Sequence, residues 1–428
     1  MTLSRGRDIL AIPGPSIVPD RVLNAMHRAA PNIYEGELVE MTATVVADLK
    51  RLAGTGGEAV IYIGNGHAVW EAAIANLLRP GQKALVLATG RFGLGWAATA
   101  RQMGIDVEVM DFGFGSAIDP ARVEARLRAD TAGEIRAVLA VQTDTASSVR
   151  SEIAPLRAAL DAAGHPALLV VDCIASLGCD RYEMDAFGAD VTVAACQKGL
   201  MTPPGTAFVF FNARAAAAAV DCPSPYWDWK PRARPEVFYQ LFAGTAPTHH
   251  LYGLRCALDM ILEEEGLEAV WRRHAVQARA VWAAVEAWGA GGGLRLNVAA
   301  PELRSHAVTT IRAAPGDGTR LRRWCADAAG LTLGIGLSAP GIDPEGLFRI
   351  GHMGHLNPHM LLGTLATIEA GLGALGIAHG AGAVEAAAGV IAAGAAAGTA
   401  AGTAAAGENA ADRVASGSRP VTAAENAG

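Results

Sequence analysis

From residue 59 to residue 196 the chain repeats one pattern, a short apolar run followed by an amphipathic segment. Short runs that stay apolar on both sides of the strand are buried on both faces of a sheet, and helices between them return the chain in the parallel sense. Ala59–Gly64, Lys83–Thr89, Asp106–Phe112, Ile135–Gln142, Ala167–Asp172 and Val191–Cys196 read as strands, with His67–Leu78 and Leu94–Met103 among the helices between them. The pattern predicts an α/β domain built on a mainly parallel sheet covered by helices. Ala207–Asn212 follows a connection too short for a helical crossover, so it can run antiparallel. Ligands on such sheets bind beyond the carboxyl ends of the strands, which makes the residues just after each run the ones to inspect.

The second half has a different rhythm. His249–Glu265 and Leu267–Trp288 read as long helices. Val308–Arg312, Leu331–Gly336 and Leu347–Gly351 read as strands, with helices near Arg320–Ala328 and His359–Leu375, which together make a smaller α+β unit. A chain of 428 residues is expected to hold two domains, because single cores stop growing at roughly 250–300 residues. The expected division is an N-terminal segment over 1–20 near the active site, a large domain over 21–265, a linking helix with the small domain over 266–378, and an Ala/Gly-rich disordered tail over 379–428. Ala386–Gly407 is uncharged and long enough to span a bilayer, yet it is almost all Ala, Gly and Thr, and a membrane span is not expected.

A net charge of −7 leaves no basic footprint for nucleic acid or an anionic membrane surface. The six cysteines are scattered without a CxxC pair, as reduced thiols are, and no apolar signal core precedes Pro13; a cytoplasmic protein is expected. His352, His355 and His359 have a suggestive spacing, but no Cys or carboxylate completes a ligand set, so no metal is expected.

Chemistry concentrates at the strand ends. Val191-Thr-Val-Ala-Ala-Cys-Gln-Lys198 delivers a lone lysine to a turn rich in Gly and Pro, and the run Ala167–Asp172 ends on a carboxylate. A lysine that can form a Schiff base and an aspartate for a pyridinium nitrogen are what a pyridoxal phosphate enzyme needs. Gly64-Asn-Gly-His67 opens a helix, where free N–H groups can bind phosphate, although glycine at such turns also serves packing. Thr143-Asp-Thr145 can face the same edge or simply cap a helix, and Phe92 can stack on a planar ring or belong to the core. Arg349, inside an apolar strand, suits either a substrate carboxylate or a structural ion pair.

The chain resembles the class V, fold-type I pyridoxal-phosphate aminotransferases, and within them the serine–glyoxylate and alanine–glyoxylate enzymes. The likeness rests on Ile12-Pro-Gly-Pro-Ser16, His165-Pro-Ala-Leu-Leu-Val-Val-Asp172, Gln197-Lys198-Gly-Leu-Met, Leu251-Tyr-Gly-Leu-Arg255 and Phe348-Arg-Ile-Gly-His-Met-Gly354. It implies a seven-stranded sheet and a homodimer with shared active sites. By the same resemblance Lys198 would carry pyridoxal 5′-phosphate as a Schiff base and Asp172 would keep its ring nitrogen protonated. Asn65, Gly66, His67 and Gln197 would lie near the phosphate, with Thr245 reaching it from the neighbouring subunit. Phe92 would stack on the ring, Thr145 would approach its phenolic oxygen, and Arg349 and Tyr34 would contact substrate.

Departures bear on the substrate. Ile33-Tyr34 stands where serine–glyoxylate enzymes carry His-Arg, and Gln142-Thr-Asp144-Thr-Ala-Ser-Ser148 where they carry His-Asn-Glu-Thr-Ala-Thr-Gly. Asp144-Thr145 and the Tyr34 region are similar to pyridoxamine–pyruvate aminotransferase, whose acidic residue in the phosphate-site loop is here Asn65. The resulting expectation is amino transfer from a small amino acid, serine or alanine, to glyoxylate. The alternatives are a pyridoxamine–pyruvate or other class V transaminase or lyase, and a cofactor-binding protein without turnover.

Overall fold

A computed structural model describes residues 3–337 and 339–397. Its larger sheet has seven strands in the order Glu58–Gly64, Gly205–Phe211, Val191–Ala195, Leu168–Asp172, Ile135–Val141, Lys83–Ala88, Asp106–Asp111. Every pairing is parallel except those of Gly205–Phe211, which runs antiparallel to both its neighbours. That strand is the one whose short connection pointed to reversal. The central strands Leu168–Asp172 and Val191–Ala195 are buried along their whole length, and separate apolar clusters cover the two faces, so their side chains have no water-facing side to keep polar.

Strand limits fall within two residues of the sequence boundaries, and those of Val308–Arg312 and Leu347–Gly351 coincide with them. The helix expected at Leu94 instead begins at Arg91, because the Asp144 carboxylate accepts the amides of Phe92 and Gly93 and so caps three residues earlier than the apolar pattern indicates. The helix expected over His249–Glu265 is α-helical from Thr248 to Asp259 and widens to π-helix over Met260–Glu265. Each of the last three glutamates pairs with a different arginine: Glu263 with Arg51, Glu264 with Arg21, Glu265 with Arg273.

The smaller sheet has the strand order Ile9–Ala11, Leu331–Ile335, Leu347–Gly351, Val308–Arg312, Arg295–Leu296. Its first strand comes from the N-terminus and pairs in parallel with Leu331–Leu333. The 23-residue helix Leu267–Gly289 leads into this unit and buries Ala280, Val281, Ala284, Val285 and Trp288 against it.

The expected structureless tail from residue 379 is corrected for its first part. Residues 383–397 form a helix, with Ala383 and Ala387 fully buried and Val390 and Ile391 packed beside them on the small-unit core. Alanine is the strongest helix former, and small side chains let this helix lie close to its neighbour, where Gly394 sits against Val276. The remainder of that expectation, 398–428, lies outside the described residues. Among the described residues no helix is long and apolar enough to cross a membrane.

Candidate active site

At the carboxyl edge of the large sheet lies a cavity of about 290 Å³. Its wall brings together Asn65, Gly66, His67, Phe92, Thr145, Asp172, Gln197 and Lys198, eight residues from five strand ends. Gly14, Pro15, Trp70, Thr143, Ile174, Ala175 and Pro204 complete it. Asn65 accepts the His67 amide and caps the helix Gly66–Leu77, whose N-terminus therefore opens on the cavity. Gly66 packs so closely on Ile174 that a β-carbon would stand 2.6 Å from its Cδ1.

Asp172, the last residue of its strand, is 4% exposed. Trp70 Nε1 donates to its Oδ2 and the Ile174 amide to its Oδ1, each at 2.7 Å. Burial still pushes its carboxyl up to about 7, against the pull of those two hydrogen bonds. Lys198 Nζ donates to the carbonyl of Pro13. Burial, helped by the Arg349 charge, holds the amine down to about 8, while Asp172 acts in the opposite sense. Two groups whose pKa values are driven toward neutrality in one cleft are the usual signature of acid–base chemistry.

Arg349 is 6% exposed. Its Nε donates to the Ile335 carbonyl at 2.7 Å and Nη1 to the Thr145 carbonyl at 2.8 Å. No carboxylate lies within 4 Å of it among the described residues, so the structural ion pair left open by the sequence is absent there. Burial pushes this guanidinium down to about 10, with Asp144 drawing it up. Asp144 is itself fully buried, spends its oxygens on the amides of Phe92, Gly93 and Ala146, and has its carboxyl pushed up by burial.

Tyr34 and Thr245 do not join the cavity of their own chain. Tyr34 is 85% exposed, and Thr245, between the turn Phe238–Phe242 and the helix Thr248–Asp259, is exposed too. The histidines with suggestive spacing do not assemble a ligand set: His352 is engaged by Thr309 Oγ1 and the His306 carbonyl.

Sequence reasoning missed Trp70, Ile174, Ala175 and Asp180. Trp70 lies three residues after His67, on the same helix face, where the rings meet at 4.6 Å; that spacing was a usable signal. Pro13, Gly14 and Pro15 come from the N-terminal segment expected near the active site, although nothing local announces that they touch Lys198 itself. Ile174 and Ala175 follow Asp172 directly. Asp180, fully buried, accepts Thr143 Oγ1 at 3.1 Å, Ser305 Oγ at 3.0 Å and the His306 amide at 2.9 Å, and so joins the cavity wall to the small unit.

Comparison with known proteins adds a family and relatives. A family model described as aminotransferase class-V matches residues 15–339. The chain is 37% identical over 376 residues to serine–glyoxylate aminotransferase of Methylorubrum extorquens, covering 86% of this chain and 91% of that one. It is 35% identical to L-aspartate–glyoxylate aminotransferase of Paracoccus denitrificans, with the same coverage of 86% and 91%. Among solved structures it is similar to ureidoglycine–glyoxylate aminotransferase from Bacillus subtilis, with a TM-score of 0.82 and 25% identity over 91% of this chain and 99% of the other.

Proposed function

The chain belongs to the class-V aminotransferase family and is a pyridoxal-phosphate-dependent enzyme; within that family we propose that it moves the amino group of a small amino acid, serine or alanine, to glyoxylate. The observation that carries this reading is the buried Arg349, a guanidinium with no carboxylate within 4 Å among the described residues, bonded to the carbonyl of the cavity residue Thr145 and near enough to Lys198 to depress its pKa. Glyoxylate is shared by the names of all three relatives above, while their donors differ. A cavity of about 290 Å³ supports a small donor; its basic lining groups on this chain are His67 and Lys198, and Arg349 stands behind Thr145 rather than in the lining.

The residues present fit the cofactor. Asp172 is a buried carboxylate held by two neutral N–H donors and suits a cationic ring nitrogen, and the open N-terminus of the helix Gly66–Leu77 suits a phosphate. Pyridoxal phosphate, when bound, supplies a carbonyl that takes and returns an amino group and a ring that draws electrons from the substrate's Cα. Lys198 Nζ, with its pKa held down to about 8, can accept the proton that leaves Cα of the donor and give a proton back to Cα of the acceptor in the reverse half-reaction. Arg349 orients the substrate carboxylate through its fork, its Nε and Nη1 already fixed on backbone carbonyls. Trp70 and Ile174 hold the Asp172 carboxylate in place, and Phe92, supported through its amide by Asp144, forms a wall that keeps water from the reacting atoms. Gln197, Asn65, Gly66 and His67 form the phosphate end in this reading, and Thr145 the side of the phenolic oxygen.

We further propose a homodimer in which Thr245 and Tyr34, both exposed on their own chain, complete the cavity of a second copy. Co-expressed Lys198→Ala and Thr245→Ala chains regain activity if sites are shared between subunits. Failure of mixed dimers to exceed the activity of either variant alone contradicts sharing. The six free thiols support a reducing compartment, the cytoplasm.

The deciding experiment for the reaction is a half-reaction panel. Serine, alanine and aspartate are each added to purified enzyme and the loss of the yellow absorbance of the lysine-bound cofactor is followed, then its return with glyoxylate or pyruvate. Bleaching by serine or alanine and recovery with glyoxylate is expected. Recovery with pyruvate only, or bleaching by none of the donors, refutes the assignment.

A further inference from the structure

Independently of that reading, the small unit carries a cavity of about 380 Å³ at the outer edge of its sheet. Arg295 and Arg312 both line it, and they stand directly opposite each other where the edge strand Arg295–Leu296 pairs antiparallel with Val308–Arg312. Directly opposed residues point to one face with their β-carbons about 4.5–5.5 Å apart, so two guanidinium groups share one small volume. Like charges so placed weaken a strand pair. Neither arginine has an acidic partner within 4 Å among the described residues, and the acid on the same wall, Asp343, turns its Oδ1 to the Glu345 amide.

Arg312 is also held in place. Its Nε donates to Asn297 Oδ1 at 2.7 Å, and its guanidinium carbon lies 5.8 Å from the centre of the Phe114 ring. Asn297 is buried and donates in turn to the carbonyls of Phe114 and Ser147. Burial and the nearby Arg295 both hold the Arg312 guanidinium below its ordinary value.

We propose that the Arg295–Arg312 cavity binds a small tetrahedral dianion, inorganic phosphate or a phosphate monoester. The fork of each guanidinium matches a pair of oxygens on such an anion, and a dianion between them replaces repulsion with two charge-assisted contacts. The Asn297 link to the Ser147 carbonyl joins this cavity to the 143–150 hairpin that carries Thr143 and Thr145 of the other one.

The test is calorimetric titration of the cofactor-loaded enzyme, whose own phosphate site is filled, with inorganic phosphate, sulfate and glycerol 3-phosphate at constant ionic strength. Heat of binding is preferred to thermal shift because phosphate and sulfate stabilise most proteins by exclusion from their surfaces. Saturable binding with Kd at or below about 1 mM is expected, weakened at least about tenfold by Arg295→Gln and more by Arg295→Gln with Arg312→Gln. Arg295 is exposed, so its single change leaves the fold and the basal activity in place and keeps the test valid should the double variant misfold. Binding by all three anions assigns the site to free oxyanion, and binding by glycerol 3-phosphate alone assigns it to phosphate esters. Absence of saturable binding by all three, or binding undiminished in Arg295→Gln, overturns the proposal.

Discussion

Gly14 lies against the outer half of Lys198: a β-carbon built on it stands 2.5 Å from Lys198 Cδ and 2.6 Å from both Cε and Nζ. Its φ of +91° is also one that L side chains rarely adopt. Gly14→Ala must therefore displace the amine or the N-terminal segment. Misplacement of a reacting group by an ångström can cost about 10²-fold in rate, and a fall of that order in kcat/KM is expected. Steady-state kinetics check it, and unchanged kinetics would show that Lys198 works from another position.

Lys198→Ala removes both the covalent anchor and the proton carrier assigned to its Nζ. Activity should fall by at least about 10²–10⁴-fold, the range for loss of a general acid–base group. Cofactor absorbance should change at the same time, because no lysine-bound form remains. A variant that keeps the wild-type spectrum would remove Lys198 from the chemistry.

Arg349 donates to two backbone carbonyls and meets no acid among the described residues. Arg349→Gln should chiefly raise KM for the donor, lowering kcat/KM about 10–100-fold, the equivalent of one charged hydrogen bond worth about 1.5–3 kcal/mol. Arg349→Lys should recover only part of this, since an ammonium lacks the planar fork. Equal loss for substrates with and without a carboxylate would point to a packing role instead.

The pair Asp172 and Lys198 makes the cofactor-free protein pH-sensitive in a defined sense. The Asp172 pKa is raised to about 7 on folding, so its contribution is fullest at low pH and is lost as pH rises toward 7. The Lys198 pKa is lowered to about 8, so its contribution appears only as pH rises above 8. Their combined contribution is least between about pH 7 and 8, where both are charged and buried. Thermal unfolding of the cofactor-free protein across pH 5–10 should show that minimum, and Asp172→Asn should flatten its acid side. An acid side equally steep in the variant assigns the slope to other groups.

Much of this architecture could be read from periodicity, for a physical reason. Strands such as Leu168–Asp172 are buried on both faces, so they carry unbroken apolar runs, and the polar residue that ends each run lands at the sheet edge, where Asp172 and Lys198 were found. What escaped was non-local. Pro13 reaches Lys198 across 185 positions of sequence, and Asp180 meets Ser305 across 125, and neither distance leaves a mark on its local pattern. The early start of the helix at Arg91 escaped because its cap, Asp144, belongs to another strand end. Residues 383–397 escaped because an alanine-rich run broken by glycines suits both a helix and a loose chain, and only the neighbouring helix decides.

One arrangement reaches further. Ile9–Ala11 is hydrogen-bonded into the small sheet, and with only Ile12 between, the carbonyl of Pro13 accepts a hydrogen bond from Lys198 Nζ, while Ser16 Oγ donates to the Lys198 carbonyl at 2.7 Å. The segment is a taut tendon from one unit to the reactive amine of the other. The small sheet and the Lys198 amine are thus tied through a very short run of chain, so that where the one sits fixes where the other can sit.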